Sequence, residues 1–283
     1  MPFKQKLAEK SGLPEAKLPS SYQIIGDLLL VKLPKLNEKE KKKTAKAIKE
    51  MLPHIKTIGE ITGVFGELRK PKVKKLLGNG FETIHKEHGL LYKLDASKIM
   101  FSKGNLFERQ RIAKEVKNNE IVIDMFAGIG YFSLGLKKAK KVYAIEKNPI
   151  AYKYLKENIK LNKIANIEAI NADCRKIDLP RADRIIMGYF PHTEKYLPYA
   201  RNFCRSGTII HFHNTYRKDE LWSKPLAHIK KHFDCKIIEK KKVKSFAPNV
   251  YHVVVDFECD MRKRENFVET QHRIAKTGKY CHI

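Results

Sequence analysis

A chain of 283 residues that is 42% hydrophobic can bury a sizeable core, as one large domain or two modest ones. Its 58 Lys and Arg against 31 Asp and Glu give a net charge of +27, so a polyanionic partner, most simply a nucleic acid, is predicted; the alternative is the lysine-rich surface of a thermophile, which usually carries matching glutamate. The five cysteines include no CxxC pair and are odd in number, which argues against a disulfide framework or a zinc ribbon; no signal-like opening and no membrane-length run is present, so a soluble, cytoplasmic protein is expected.

In chain order, residues 1–20 are polar and proline-containing and read as a flexible arm. "SYQIIGDLLLVKLP" predicts a strand pair around Gly26-Asp27. "EKEKKKTAKAIKEMLP" predicts a basic amphipathic helix stopped by Pro53. "TIGEITGVFGELRKPKVKKLLGNG" mixes short strands with glycine turns, and two more strands join around His88-Gly89. Residues 21–100 therefore read as a small basic α+β domain. "NLFERQRIAKEV" predicts a helix with apolar Leu106, Phe107, Ile112 and Val116, leading into a second domain over 101–259.

From Ile121 strands and helices alternate, which predicts a mostly parallel sheet. Its seven strands are expected at 121–126, 141–146, 166–170, 183–188, 207–212, 235–239 and 250–257. Asn148 can cap the helix after the second strand, with Pro149 at its first position and Ala151, Leu155 and Ile159 on one face. The short turn at Pro248-Asn249 suits a hairpin, so the sheet is expected to end with one antiparallel strand. Residues 260–283 form a basic tail, helical or disordered.

The stretch "DMFAGIGYFSLG" reads as strand end, glycine turn and helix start, the helix running through "YFSLGLKKAK". Gly128 and Gly130 are present, but Ser133 stands where a dinucleotide fingerprint needs its third glycine. Asp124 would repel a pyrophosphate. Glu146 lies 18 residues after Gly128 and can accept from ribose hydroxyls. In "NADCRK", Asp173 can accept from an adenine amino group while the Cys174 N–H meets a ring nitrogen; the Cys174 thiol is not needed. The three acids at or just past successive strand ends would ring a cationic, phosphate-free adenosine. The alternative is that each acid merely caps a helix.

"DMFAGIG", "AIEKNP" and "NADCR" resemble the S-adenosylmethionine motifs of the class I methyltransferase fold. The resemblance implies a Rossmann-like, seven-stranded, mostly parallel α/β sheet, here with a small N-terminal α+β domain. "IIGDLLLVKLP", "IHKEHGLLYKLDASKIMFSKGNLFERQRIA" and "SFAPNVYHVVVDFE" extend it, over residues 20–258, to one tRNA-modifying group. That group holds the archaeal-type tRNA guanine-N1 methyltransferase and the wybutosine-pathway aminocarboxypropyltransferase, which act on the same base 3′ of the anticodon.

After the fourth strand, amine-methylating relatives place Asn or Asp and then Pro; here "IIMGYFPHT" puts Gly188 at that position. Its Met-Gly-Tyr pattern, "HFHNT" and "FSKGNLFER" resemble the aminocarboxypropyl enzyme. The resemblance implies transfer of the 3-amino-3-carboxypropyl group of S-adenosylmethionine, used as co-substrate, to 4-demethylwyosine in the anticodon loop of phenylalanine tRNA, with methylthioadenosine released. Which carbon of a sulfonium reacts depends on placement. Arg109 is the candidate for gripping the methionine carboxylate, with Ser102 adding a bond; a surface ion pair of Arg109 with Glu108 or Glu115 is the alternative. His211 and His213 share a strand face, either as core histidines or, with Asn214, facing the base; Tyr189 could stack on it. No metal and no general base is assigned.

The basic stretches "NEKEKKKTAKAIKE", "ELRKPKVKK" and "CKIIEKKKVKS" are expected to meet tRNA phosphates, with binding that weakens steeply in salt. A monomer is expected. The rival readings are the guanine-N1 methyltransferase and a non-catalytic RNA-binding protein with a vestigial pocket.

Overall fold

The computed structural model describes residues 2–102 and 104–261. It divides into two units, Met1–Lys103 with Lys153–Lys163, and Gly104–Tyr152 with Ile164–Ile283. The tail expected at 260–283 lies, from residue 262 onward, outside the described residues.

In the first unit, residues read as a flexible arm instead form helix α1 (Phe3–Ser11). Phe3, Leu7 and Ser11 fall on one face at i, i+4 and i+8. Leu7 is fully buried in a cluster with Leu18, Ala45 and Ile48, and that one apolar stripe outweighs the polar composition around it. Helix α2 (Glu38–Met51) starts at a capping box: the Glu40 N–H donates to Asn37 Oδ1 at 3.0 Å, and the Asn37 N–H to Glu40 Oε2 at 2.9 Å. It ends just before Pro53, as predicted. Strands β1 (Tyr22–Ile25), β2 (Leu28–Val31), β3 (Thr57–Phe65) and β4 (Lys70–Leu77) form a sheet in that order, with only β2 and β3 parallel. Strands β5 (Glu82–Glu87) and β6 (Leu90–Asp95) make a separate hairpin that turns at His88 and Gly89, both at positive φ.

The second unit opens with α3 (Leu106–Glu115). Its buried side chains are Glu108, Arg109 and Ile112, whereas Phe107, expected on the apolar face, is 86% exposed. The strands that follow are β7 (Ile121–Asp124), β8 (Lys141–Ile145), β9 (Ile167–Ile170), β10 (Ala182–Met187), β11 (Cys204–Arg217), β12 (Asp234–Ala247) and β13 (Val250–Asp260). Between them lie α4 (Pro149–Leu161), α5 (Leu197–Ala200) and α6 (Ser223–Lys230). The sheet order is β12-β13-β11-β10-β7-β8-β9. Strands β9, β8, β7, β10 and β11 pair in parallel, while β13 is antiparallel to both neighbours. The antiparallel strand is present as predicted, but it does not end the sheet. Val253, Val254, Val255 and Phe257 of β13 are all buried, so both of its faces need cover. Strand β12 alternates exposed lysines with half-buried residues and takes the edge instead.

The glycine turn is followed not by the expected helix but by a single 3-10 turn, Ser133–Gly135. After it, Asn166 Nδ2 donates to the carbonyls of Leu136 (3.0 Å) and Ala139 (2.7 Å), and the Lys140 N–H goes to the Glu120 carbonyl at 2.9 Å, so the segment's end is tied to neighbouring chain and not to a helix of its own. Helix α4 does begin at Pro149, with the Ile150 N–H on Asn148 Oδ1 at 3.0 Å. Its later residues belong to the first unit, where Asn158 and Asn162 exchange hydrogen bonds with the β6 backbone at Lys93 and Leu91.

Candidate active site

From β7 the chain runs outward through β8 and β9, then returns to the other side of β7 as β10 and β11. The order therefore reverses between β7 and β10, and in open α/β sheets the ligand crevice lies at the carboxyl ends of the strands flanking that reversal. Asp124 is the last residue of β7, Glu146 follows β8, Asp173 lies three residues past β9, and Gly188 follows β10. The structure thus brings the predicted acids and Gly188 to one end of one sheet.

Asp124 is fully buried. Its Oδ2 accepts from the Ser133 hydroxyl at 2.6 Å and Oδ1 from the Phe126 N–H at 3.3 Å. Burial pushes its carboxyl up to about 6, against the pull of those hydrogen bonds. Ser133, the residue in place of the third glycine, therefore ties the turn to its acid. Gly128 and Gly130 both have positive φ, and a Cβ on Gly130 would lie 2.6 Å from Leu134 Cγ. Glu146 spans the turn and the next helix, accepting from the Gly128 N–H at 2.8 Å and the Asn148 N–H at 2.6 Å. Burial raises its pKa in spite of these bonds. Each carboxylate oxygen keeps a lone pair for a further donor such as a ribose hydroxyl.

Asp173 is held in a fork by Arg175, with Nε at 2.9 Å and Nη2 at 2.6 Å, and Lys147 Nζ stands at 3.3 Å. The Arg175 bonds lead in holding its carboxyl well below the usual range. Cys174 is buried, and burial pushes its thiol up to about 12, so it presents a backbone N–H and not a thiolate.

Arg109 is buried on α3, with its guanidinium 4.7 Å from the ring centroid of Tyr131, the residue after the glycine turn. Two positions on, Arg111 bonds Glu108 at 2.7 Å and Glu115 at 2.8 Å. Ser102 is half-buried in the segment before α3 and belongs to the first unit.

Aromatic side chains surround the reversal point. Half-buried Tyr189 stacks on Phe126 with centroids 5.2 Å apart, and Tyr196 meets both rings edge-on. A Cβ on Gly188 would lie 2.6 Å from Phe132 Cε2, so the Phe132 ring takes the volume of a side chain at 188. That ring is 5.4 Å from His213, which lies 5.3 Å from His252, itself stacked on Phe190 at 4.1 Å. His213 is fully buried and its Nε2 has no hydrogen-bond partner among the described residues; burial first, then the neighbouring histidines, push its pKa well down, so it is neutral. Asn214 is buried too. Its Oδ1 accepts from the N–H groups of His192 (3.1 Å) and Thr215 (2.8 Å), and its amide donates to Glu194 at 2.7 Å. It braces the loop that carries Tyr189. Phe126 and Phe132 lie in the glycine-turn segment and Tyr196 beyond β10; no spacing in the sequence signals that rings from the two segments gather there.

His211 lies elsewhere, in a buried ionic network. Its Nδ1–H donates to Asp256 at 2.7 Å and Arg184 donates to its Nε2 at 2.7 Å. Glu115, His211 and Asp256 bring potential metal-ligating atoms within 4.8 Å of one another. Guanidinium groups already engage all three: Arg111 bonds Asp256 at 2.6 Å and Glu115 at 2.8 Å, and Arg184 bonds His211. These forks occupy the atoms a cation would need.

The basic stretches lie on α2, on β4 with its preceding turn, and on β12, where Lys236, Lys240 and Lys242 are exposed on the edge strand. No helix among the described residues is long and apolar enough to cross a membrane.

Comparison with known proteins gives two adjoining family matches: the TYW2 N-terminal domain over residues 4–81 and the TRM5/TYW2 methyltransferase domain over 83–239. The chain is 46% identical over 244 residues to the tRNA(Phe) (4-demethylwyosine(37)-C(7)) aminocarboxypropyltransferase of Methanocaldococcus jannaschii, covering 83% of this chain and 96% of that protein. It is 35% identical over 265 residues to tRNA (guanine(37)-N(1))-methyltransferase Trm5b of the same organism, covering 92% and 78%. The crystal structure of Pyrococcus horikoshii TYW2 in complex with MeSAdo superposes with a TM-score of 0.78 at 39% identity, covering 90% of this chain and 98% of that one.

Proposed function

The chain belongs to the TRM5/TYW2 family, and on that premise we propose that it transfers the 3-amino-3-carboxypropyl group of S-adenosylmethionine to C7 of 4-demethylwyosine in phenylalanine tRNA, 3′ of the anticodon. The observation that carries the choice is Gly188. Where the methylating relatives resemble Asn-Leu-Pro, this chain has no side chain, and the Phe132 ring fills the space. Position 188 itself therefore offers no side chain to hold a ring nitrogen for methylation. The greater identity to the aminocarboxypropyltransferase, over nearly all of its length, supports the same reading.

The donor set fits the cofactor. The end of the sheet carries carboxylates at Asp124, Glu146 and Asp173, suited to a cationic adenosine and unsuited to a pyrophosphate. When bound, S-adenosylmethionine would supply a sulfonium that makes the carbon of its amino-acid arm next to sulfur electrophilic: the S–C bond breaks with methylthioadenosine as the leaving molecule, the C7–C bond forms, and the C7 proton is lost to solvent. Glu146 takes the ribose hydroxyls, while the Cys174 N–H and Asp173 meet the adenine. Gly128 and Gly130 let the backbone approach closely, and Asp124 sets the turn and the local field. Arg109 clasps the methionine carboxylate with its fork. Grip on that arm decides which carbon reaches the base. Tyr189 stacks on the target base, while Asn214 and His213 act at one remove, by holding its loop and packing beneath it.

The enzyme acts as a monomer in the cytoplasm, where its tRNA substrate is found; a net charge of +27 disfavours self-association. The test is incubation with tRNA carrying 4-demethylwyosine and cofactor labelled on either the methyl or the carboxyl carbon. Carboxyl label in the RNA with methylthioadenosine released is the expected result. Methyl label with S-adenosylhomocysteine would make the protein a methyltransferase, and no label in RNA would leave a binding protein.

A further inference from the structure

The end of the β3–β4 hairpin carries side chains that the transfer chemistry does not use. Phe65 is 59% exposed, Leu68 49% and Val64 39%, large apolar groups at a position where turns are usually polar. Phe65 does not project freely. A Cβ built on Gly63 would lie 2.7 Å from its Cζ and 2.8 Å from its Cε2, so the ring lies back across Gly63, two residues earlier on the same strand face. Any side chain at 63 would displace it. Lys70 pairs directly across from Phe65 and Lys72 across from Gly63. Both lysines are exposed and lie on the ring's own face, as cross-strand pairs do. The turn itself holds one acid, Glu67, beside Arg69.

A ring held flat with an open face, flanked by ammonium groups, matches a nucleotide: the base stacks on the ring and its neighbouring phosphates meet the lysines. A second copy of this chain would bring its own +27 to the same lysines, and an apolar protein patch would leave them unmatched. We infer that this face of the β3–β4 hairpin, formed by Phe65, Lys70 and Lys72, is an RNA contact in which Phe65 stacks on an unpaired base of the tRNA. The inference rests on tRNA being the substrate and adds where the first unit touches it.

The experiment measures tRNA affinity of the full chain across a salt series, with cofactor titration as the control for an intact protein. Phe65→Ala is expected to weaken tRNA binding about 10-fold or more, and Phe65→Tyr to keep it. Gly63→Ala keeps every functional group but pushes the ring aside, and is expected to weaken binding as well. The double variant Lys70→Ala/Lys72→Ala should make the slope of log affinity against log salt shallower by about 1.4–1.8. Cofactor affinity stays unchanged in all four. Wild-type protein that binds no tRNA would sink the proposed function. Wild-type binding with Phe65→Ala and Gly63→Ala equally tight would overturn the hairpin contact alone, as would variants that change only self-association.

Discussion

The Nδ1 of His211 and an oxygen of Asp256 lie 2.7 Å apart, directly across from each other on β11 and β13. Asp256 also takes Arg111 at 2.6 Å, and Arg111 reaches back along α3 to Glu108 and Glu115. This buried network fastens to the sheet the helix that carries Arg109. Burial would raise the Asp256 carboxyl, but the His211 hydrogen bond and the Arg111 charge outweigh it and hold it at about 2. Its stabilisation, roughly 2 kcal/mol, is present above the ordinary carboxylate range and lost as pH falls through about 2. Asp256→Ala leaves Arg111 short of a buried partner and is expected to cost about 3–5 kcal/mol. Urea unfolding at pH 7 reads this loss, and an unchanged midpoint would contradict the network's role.

Arg109→Lys keeps the charge but loses the fork and the planar group 4.7 Å from the Tyr131 centroid. If the fork holds a carboxylate, S-adenosylmethionine affinity falls about 10-fold or more. Methylthioadenosine, which lacks the amino-acid arm, binds the variant as it binds the wild type. Calorimetry with both ligands separates these outcomes. Equal loss for the two would mean that Arg109 only shapes the pocket.

Glu146→Gln removes one of the two acceptors that hold the N–H groups of Gly128 and Asn148. It puts an N–H₂ against a backbone donor and weakens the grip on ribose. Loss of a charge-assisted hydrogen bond predicts about a 10- to 100-fold weaker cofactor. Binding of tRNA at moderate salt is expected to persist. Cofactor titration beside a tRNA filter assay checks both halves.

Much of this was legible in the chain because its signals are local. Ile121 to Asp124, then Gly128, Gly130 and Glu146, carry strand, turn and acid within one short span. The helix stopped by Pro53 and the His88-Gly89 turn are likewise local patterns. What failed depends on tertiary partners. Only packing shows that Leu7 draws a polar opening segment into a core, or that Asn166 and Glu120 tie down the segment after the glycine turn. The rank of β13 inside the sheet follows from which strand can bury both faces, a comparison between β12 and β13 that neither makes alone. His211 and His213 share a face as predicted, yet one meets Asp256 and Arg184 and the other a cluster of rings, because the neighbouring strands supply different residues.

Gly188→Ala tests the steric relation on which the choice of reaction rests. The new Cβ would stand 2.6 Å from the Phe132 ring, which is buried and cannot swing away freely. Overpacking of this kind costs about 1–3 kcal/mol. Phe132→Leu in the same background is expected to recover part of it. Thermal unfolding of the single and double variants gives the coupling between the two positions; strict additivity would mean that they do not touch.

Asp124 makes a pH prediction with a definite sign. Burial raises its carboxyl to about 6, so the folded protein holds that proton more tightly than the unfolded chain does. Below about pH 4 both states are protonated and the group costs nothing. As pH rises to 6 and beyond, the buried carboxylate ionises at a cost of roughly 3 kcal/mol. Stability of the free protein therefore falls across that window, and Asp124→Asn flattens the curve. A cationic cofactor beside the acid favours its ionised form, so S-adenosylmethionine affinity rises as pH passes through 6. Glu146, also pushed up by burial, contributes a smaller part. Asp124→Asn is expected to remove most of the pH slope of affinity, and Asp124→Asn/Glu146→Gln the rest. A slope unchanged in both variants would place the cofactor's charge away from this end of the sheet.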